Sequence, residues 1–301
     1  MAGRFAVRVG AFALTLMVLS CVCGRNAEAR EPKTPNSQSQ AQEIGIRLQR
    51  GYLILAPGSI GTADNLNFLI DTGTVPTLIS RRLAQKLALH GPEIEVGIWG
   101  ARTKVALVTL PVLKFGPVKV EKLTVFAIDM QPMEQELATR LDVIIGLDAL
   151  SKTSFTIDYV RKVISFGMPI TTGMVVAMEL RDSPAPYVLV PAEIQGKQAH
   201  LLLDTGAGNL TLLDLRAQAL GLPIKTPKWN ANSAGSGELI PLPIKQLRLG
   251  GNTLRVKSAF VRPVPQVALR DFDGMIGPTS LGIKRFTMNF QTKQLYIDLQ
   301  K

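Results

Sequence analysis

Cysteine is almost missing from this chain of 301 residues: only Cys21 and Cys23 carry a thiol, and both lie near the start. Everything downstream therefore lacks a disulfide framework and a thiol nucleophile. Histidine is as scarce, with His90 and His200 alone, which leaves no donor set for a histidine-rich or thiolate metal centre. No Gly-x-Ser-x-Gly elbow occurs, so nothing recommends a Ser/His/Asp triad although counting alone permits one. Aromatic residues make up 6% and charged residues 19%, against 46% apolar types, a balance that excludes a disordered or fibrous protein and allows one large core or two modest ones.

What is present begins with a leader. Arg4 and Arg8 precede an uncharged apolar run from Val9 to Gly24, and Ala27-Glu28-Ala29 follows as a small-x-small cleavage site, so residues 1–29 read as an export signal peptide. The run is shorter than the roughly 20 residues a spanning helix needs. Val18-Leu19-Ser20-Cys21 offers a second processing route, that of a lipoprotein anchored to a membrane through Cys21. Either route exports the protein, to a periplasmic or extracellular location. Residues 30–43 have no apolar period and read as a flexible tether. Loss of Arg4, Arg8, Arg25 and Glu28 takes the net charge from +11 to +9. Lysines and arginines are spread evenly and cluster only as pairs such as Arg81-Arg82, a solvated surface rather than a nucleic-acid footprint.

The chain then repeats itself once. Asn67-Phe68-Leu69-Ile70-Asp71-Thr72-Gly73-Thr74 recurs as His200-Leu201-Leu202-Leu203-Asp204-Thr205-Gly206-Ala207, 133 positions later. Leu83 to Leu89 matches Arg216 to Leu222 at the same offset, Leu113-Lys114-Phe115-Gly116 matches Leu247-Arg248-Leu249-Gly250 at 134, and Phe155-Thr156-Ile157-Asp158-Tyr159 matches Phe286-Thr287-Met288-Asn289-Phe290 at 131. Constant order and spacing mean a duplication, with the joint at Gly167 to Gly173. Short β-branched or aromatic runs such as 52–55, 68–70, 105–108, 123–126 and 163–166 predict a mostly β unit. One short helix per copy is expected, capped by Ser80 in the first and by Asp214 in the second.

Asp-Thr-Gly after a buried apolar strand carries chemistry, because the glycine lets the backbone turn sharply and leaves the acid at the strand end. One such tripeptide arises by chance in roughly a few per cent of chains this long. Two, at equivalent places in a duplicated unit, are far more specific, and a twofold relation between the copies would bring Asp71 and Asp204 together. Carboxyls about 3 Å apart share one proton, the tool for activating water against an amide.

On these residues the chain resembles an aspartic protease of the retropepsin-like group, with two lobes fused as in pepsin but each of retropepsin size. The resemblance spans residues 50 to 299 or so, and includes an apolar-apolar-Gly element in each copy, Val143-Ile144-Ile145-Gly146-Leu147-Asp148 and Gly274-Met275-Ile276-Gly277-Pro278-Thr279. It implies an all-β, bilobed acid-protease fold of two homologous β-barrel lobes, the first over 44–166, a connector over 167–174 and the second over 175–301. It implies an aspartic endopeptidase acting on peptide or protein substrates as a monomer with an internal pseudo-twofold, without metal or organic cofactor. Asp71 and Asp204 would be catalytic, Thr72, Gly73, Thr205 and Gly206 their support, with the two threonines gripping each other across the lobes. The polar residue expected after the second-element glycine is Asp148 in one lobe but gives way to Pro278-Thr279 in the other. None of Tyr52, Tyr159, Tyr187 and Tyr296 falls in an expected flap, so Trp99 is the candidate to cover bound peptide; the alternative packs Trp99 and Trp229 against their own lobes. Two rival readings are a peptide-binding relic that no longer cuts, and an actin-like phosphotransferase, whose phosphate loops also repeat an Asp-x-Gly-Thr type but whose fold needs long helices.

Overall fold

The computed structural model describes residues 42–98, 101–167, 169–181, 186–224, 239–262 and 272–300. The leader with Cys21, and both Trp99 and Trp229, lie outside the described residues.

Each copy folds into its own curled sheet. Ten strands, from Arg47–Gln49 to Val143–Ile145, build the first, and nine, from Glu179–Arg181 to Gly274–Ile276, build the second. In the first lobe the strand Ala63–Ile70 lies antiparallel to Leu53–Ile60 and parallel to Val143–Ile145, with Ile70 opposite Ile145. In the second, Lys197–Leu203 lies antiparallel to Tyr187–Ile194 and parallel to Gly274–Ile276, with Leu203 opposite Ile276. Because both faces of these central strands are covered, they read as continuous apolar runs without alternation. Phe68, Leu69, Ile70, Leu201 and Leu202 are all fully buried.

A third sheet joins the lobes. Its six strands run in the order Gln42–Gly45, Val163–Phe166, Phe155–Asp158, Ile283–Asn289, Gln294–Leu299 and Met174–Ala177. At its centre Phe155 faces Met288, Thr156 faces Thr287 and Ile157 faces Phe286. Equivalent residues of the duplication thus meet symmetrically, and the pseudo-twofold passes between Thr156 and Thr287, whose hydroxyls are 2.7 Å apart and buried. This sheet begins at Gln42, two residues inside the segment expected as a tether, and ends with Met174 taken from the expected connector. Phe115 stacks on Phe68 at 5.8 Å and meets Phe166 edge-on at 5.6 Å, welding the first lobe to the shared sheet.

Helix is minor. Arg81–Lys86 is capped as expected, the Ser80 hydroxyl accepting from Leu83 N–H. Asp214–Ala219 is not capped by Asp214, which occupies the first helical position instead and accepts from Leu215 N–H at 2.9 Å. The first lobe holds two further short helices, Gln131–Leu137 and Leu147–Leu150, beyond the single one expected. With no helix above seven residues among those described, the actin-like alternative loses its scaffold. Among the described residues no helix is long and apolar enough to cross a membrane.

Candidate active site

The two Asp-Thr-Gly turns sit at equivalent ends of the central strands and face each other. Asp71 N–H donates to Ile145 C=O and Asp204 N–H to Ile276 C=O, both at 3.1 Å. Within each turn the carboxylate accepts from its own glycine, Gly73 N–H to Asp71 at 2.9 Å and Gly206 N–H to Asp204 at 2.7 Å. The backbone therefore orients both acids before any partner is considered. A Cβ on Gly73 would stand 2.6 Å from Asp204 Cγ, and one on Gly206 would stand 2.8 Å from Asp71 Oδ2. Only a residue without a side chain lets each turn approach the opposite carboxyl this closely.

Under the acids, Thr72 and Thr205 interlock. Thr72 N–H donates to Thr205 Oγ1 at 3.0 Å and Thr205 N–H to Thr72 Oγ1 at 3.1 Å. Each hydroxyl then donates across the lobe boundary, Thr72 to Leu203 C=O at 2.7 Å and Thr205 to Ile70 C=O at 2.8 Å. Four bonds in a symmetric set, all buried, satisfy every polar atom involved and hold the strand ends in register.

The second element of each lobe closes on the same turn. A Cβ on Gly146 would lie 2.1 Å from Thr74 C=O, and one on Gly277 would lie 1.9 Å from Ala207 C=O. This close approach explains why both apolar-apolar-Gly elements end in glycine.

Burial and proximity set the electrostatics. Asp71 and Asp204 are both fully buried. Loss of solvent raises the Asp71 carboxyl well above the usual carboxylate range, and the Asp204 charge pushes it further in the same direction. Thr74 Oγ1, donating to Asp71 Oδ2 at 2.7 Å, and Gly73 N–H pull it partly back. A side-chain hydrogen bond joins the two acids, so they titrate as a pair. Arg262 is buried 4% exposed on the strand Ala259–Arg262; desolvation lowers its basicity and the Asp204 charge opposes that.

Sequence reasoning found the acids, the grip and the glycines, and missed the donors around them. Thr77 is one such: its N–H and hydroxyl donate to Asp148 at 2.8 and 2.6 Å, and its oxygen accepts from Gly146 N–H at 3.0 Å. Burial raises the Asp148 carboxyl while those Thr77 bonds oppose the rise. In the second lobe Leu210 stands where Thr77 would be, and Gly277 N–H donates to Asn209 C=O at 3.1 Å instead. Ser280 Oγ donates to Gly277 C=O at 2.7 Å, beside the substituted Pro278-Thr279. Among the described residues no group of three or more His, Cys, Asp and Glu could hold a metal ion. Trp99, the residue expected to cover a bound peptide, lies outside the described residues.

Comparison with known proteins bears on this arrangement. A family model described as aspartyl protease matches residues 56–149 and 190–280, one stretch in each lobe and together more than half of the chain. No curated protein matches the chain. Among solved structures, the aspartic proteinase from Irpex lacteus superposes with a TM-score of 0.52 at 13% identity, covering 87% of this chain and 98% of that one. At that identity the likeness is one of fold.

Proposed function

The chain belongs to the aspartyl protease family, and from that membership we propose that it is an aspartic endopeptidase in which Asp71 and Asp204 activate a water molecule. One observation carries the reading: two fully buried carboxyls from different lobes face each other across paired Asp-Thr-Gly turns, each turn's glycine lying against the opposite acid, and share a hydrogen bond. Such a pair shares one proton between its facing oxygens. Burial and the Asp204 charge both raise the Asp71 carboxyl, so the two acids hold one proton as a pair, and the twofold relation makes Asp71 and Asp204 interchangeable as acid and base.

The chemistry then balances in two steps. The ionised member of the pair takes a proton from water as the water oxygen bonds to the scissile carbonyl carbon, and the protonated member gives its proton to the carbonyl oxygen, producing a neutral tetrahedral diol. Proton transfer to the amide nitrogen and return of a hydroxyl proton to the pair break the C–N bond and release amine and acid. No covalent adduct forms. Thr72, Thr205, Gly73 and Gly206 support the pair by fixing its geometry, which is how preorganised donors lower a barrier. The apolar surroundings of the acids suit an extended peptide with apolar side chains beside the cut. The leader composition supports export, with Cys21 as a lipid attachment point in the alternative processing.

The test is cleavage of an unbiased peptide mixture by the purified protein from acid to neutral pH. Asp71→Asn and Asp204→Asn are each expected to lose about a thousandfold or more in kcat/KM. Loss in only one variant contradicts a pair within one chain, and a folded wild type that cuts nothing at any pH points to the peptide-binding relic.

A further inference from the structure

Tyr52 belongs to the first lobe but lies against the second lobe's catalytic turn. A Cβ built on Gly208, four residues after Asp204, would stand 3.0 to 3.2 Å from three carbons of the Tyr52 ring. Gly208 has no positive φ to demand a glycine, so the space taken by the ring is the reason for its lacking a side chain. The duplication makes the same point. Gly208 corresponds at the offset of 133 to Val75, a buried core residue, while strand register places Pro186 at the position of Tyr52. Aromatic ring and glycine thus occur as a pair on one side of the pseudo-twofold, and both are replaced on the other.

The ring is held rigidly. Tyr52 closes the tight turn after Arg47–Gln49, its N–H donating to Gln49 C=O at 3.2 Å, and Arg50 hydrogen-bonds its hydroxyl. Arg50 is itself ion-paired to Glu136 at 3.0 Å and donates to Glu136 C=O at 2.7 Å, while Gln49 Nε2 donates to Leu137 C=O at 2.5 Å. The helix Gln131–Leu137 therefore braces the turn that carries the ring. Tyr52 remains half-buried, and its phenol lies within reach of the Asp204 charge.

Resting on the protease reading, we propose that Tyr52 is a specificity-determining residue: its partly exposed ring, fixed over Gly208 beside Asp204, is the wall on which an apolar side chain of an extended peptide packs next to the bond to be cut. A rigid aromatic with its polar end already engaged discriminates by contact area, favouring leucine-sized side chains over alanine.

The experiment uses peptides identical except for Leu, Ala or Asp at one residue flanking the cut, with wild type, Tyr52→Phe, Tyr52→Ala and Gly208→Ala. Wild type and Tyr52→Phe are expected to prefer Leu over Ala by about tenfold or more in kcat/KM, and Tyr52→Ala to shrink that ratio to about threefold or less. Gly208→Ala, whose methyl must displace the ring by a few tenths of an ångström, is expected to lower the ratio with Tyr52 intact. A Tyr52→Ala that slows all three peptides by one common factor, or that leaves the ratio as it was, overturns the proposal. If Tyr52→Ala does not fold, an unchanged ratio in Gly208→Ala overturns it. Calorimetric Kd values for reduced-amide forms of the same peptides separate this proposal from the protease reading. Tyr52-dependent binding without cleavage sinks only the protease reading, and peptides that neither bind nor are cut sink both.

Discussion

The first lobe braces its Asp-Thr-Gly turn with a threonine and a carboxylate, where the second leans more on backbone. The buried Thr77 hydroxyl bonds the half-buried Asp148 carboxylate and receives Gly146 N–H, and Thr74 adds a bond to Asp71. At the equivalent places stand Leu210, Thr279 and Ala207, and Gly277 N–H turns to the Asn209 carbonyl. What both lobes keep is the aspartate, the threonine of the grip and the two glycines that permit close approach. Geometry at the carboxyls is thus the shared requirement, and the scaffolding behind them is interchangeable so long as each buried N–H finds an acceptor.

Substitutions can break the shared part or sharpen the difference. The largest effect is expected from Gly146→Ala and Gly277→Ala, because each methyl would fall about 2 Å from a backbone oxygen that cannot rotate away. Each is expected to cost about 3 kcal/mol or more in urea unfolding, and a marked inequality between them would deny that the two lobes use the element alike.

Next in size, Asp148→Ala strands the Thr77 N–H and hydroxyl and is expected to cost roughly 2 to 3 kcal/mol. Thr279→Ala, its counterpart, is expected to stay within about 0.5 kcal/mol. Equal costs would erase the contrast between the lobes.

A smaller effect appears in stability against pH. The Asp71 and Asp148 carboxyls are both raised on folding, so the native state binds their protons more tightly than the unfolded chain does. The stability they contribute is full below the unfolded carboxylate range near pH 4 and is lost as pH rises through their folded values. Denaturant midpoints should therefore fall from acid toward neutral pH, and Asp71→Asn should flatten that fall. A slope unchanged in Asp71→Asn would contradict the raised carboxyl.

Smallest is Thr74→Ala. Its hydroxyl favours the ionised form of Asp71, so its removal is expected to move the pH–activity curve of the pair to higher pH, and an unmoved curve would contradict that role. Ala207→Ser, which offers a hydroxyl to the other acid, is expected to move the curve to lower pH.

Much of this was legible beforehand. Four matched segments announced the duplication, and one of them, Phe155 to Tyr159 with Phe286 to Phe290, contains the Thr156 and Thr287 pair through which the pseudo-twofold passes. The Ser80 cap was readable because capping is local. Asp214 misled for the same reason: a capping residue type one position into a helix looks identical in sequence. The strands Gln42–Gly45 and Met174–Ala177 were hidden in weak segments because their pairing partners lie far along the chain. Thr77 and Tyr52 were missed since neither belongs to a motif, and each matters only through a residue on another element.

The sequence by itself determined that there are two copies of one β unit, and that each ends an apolar strand in an aspartate followed by a glycine. Repeats, periodicity and turn chemistry are properties of neighbouring residues, so they survive without coordinates. Only the tertiary structure decided that Asp71 and Asp204 share a hydrogen bond, that Thr74 serves one acid, and that a tyrosine of one lobe occupies the space a glycine of the other leaves open. Those facts depend on distances between residues more than a hundred positions apart, or on which oxygen a hydroxyl reaches, and both are settled by packing.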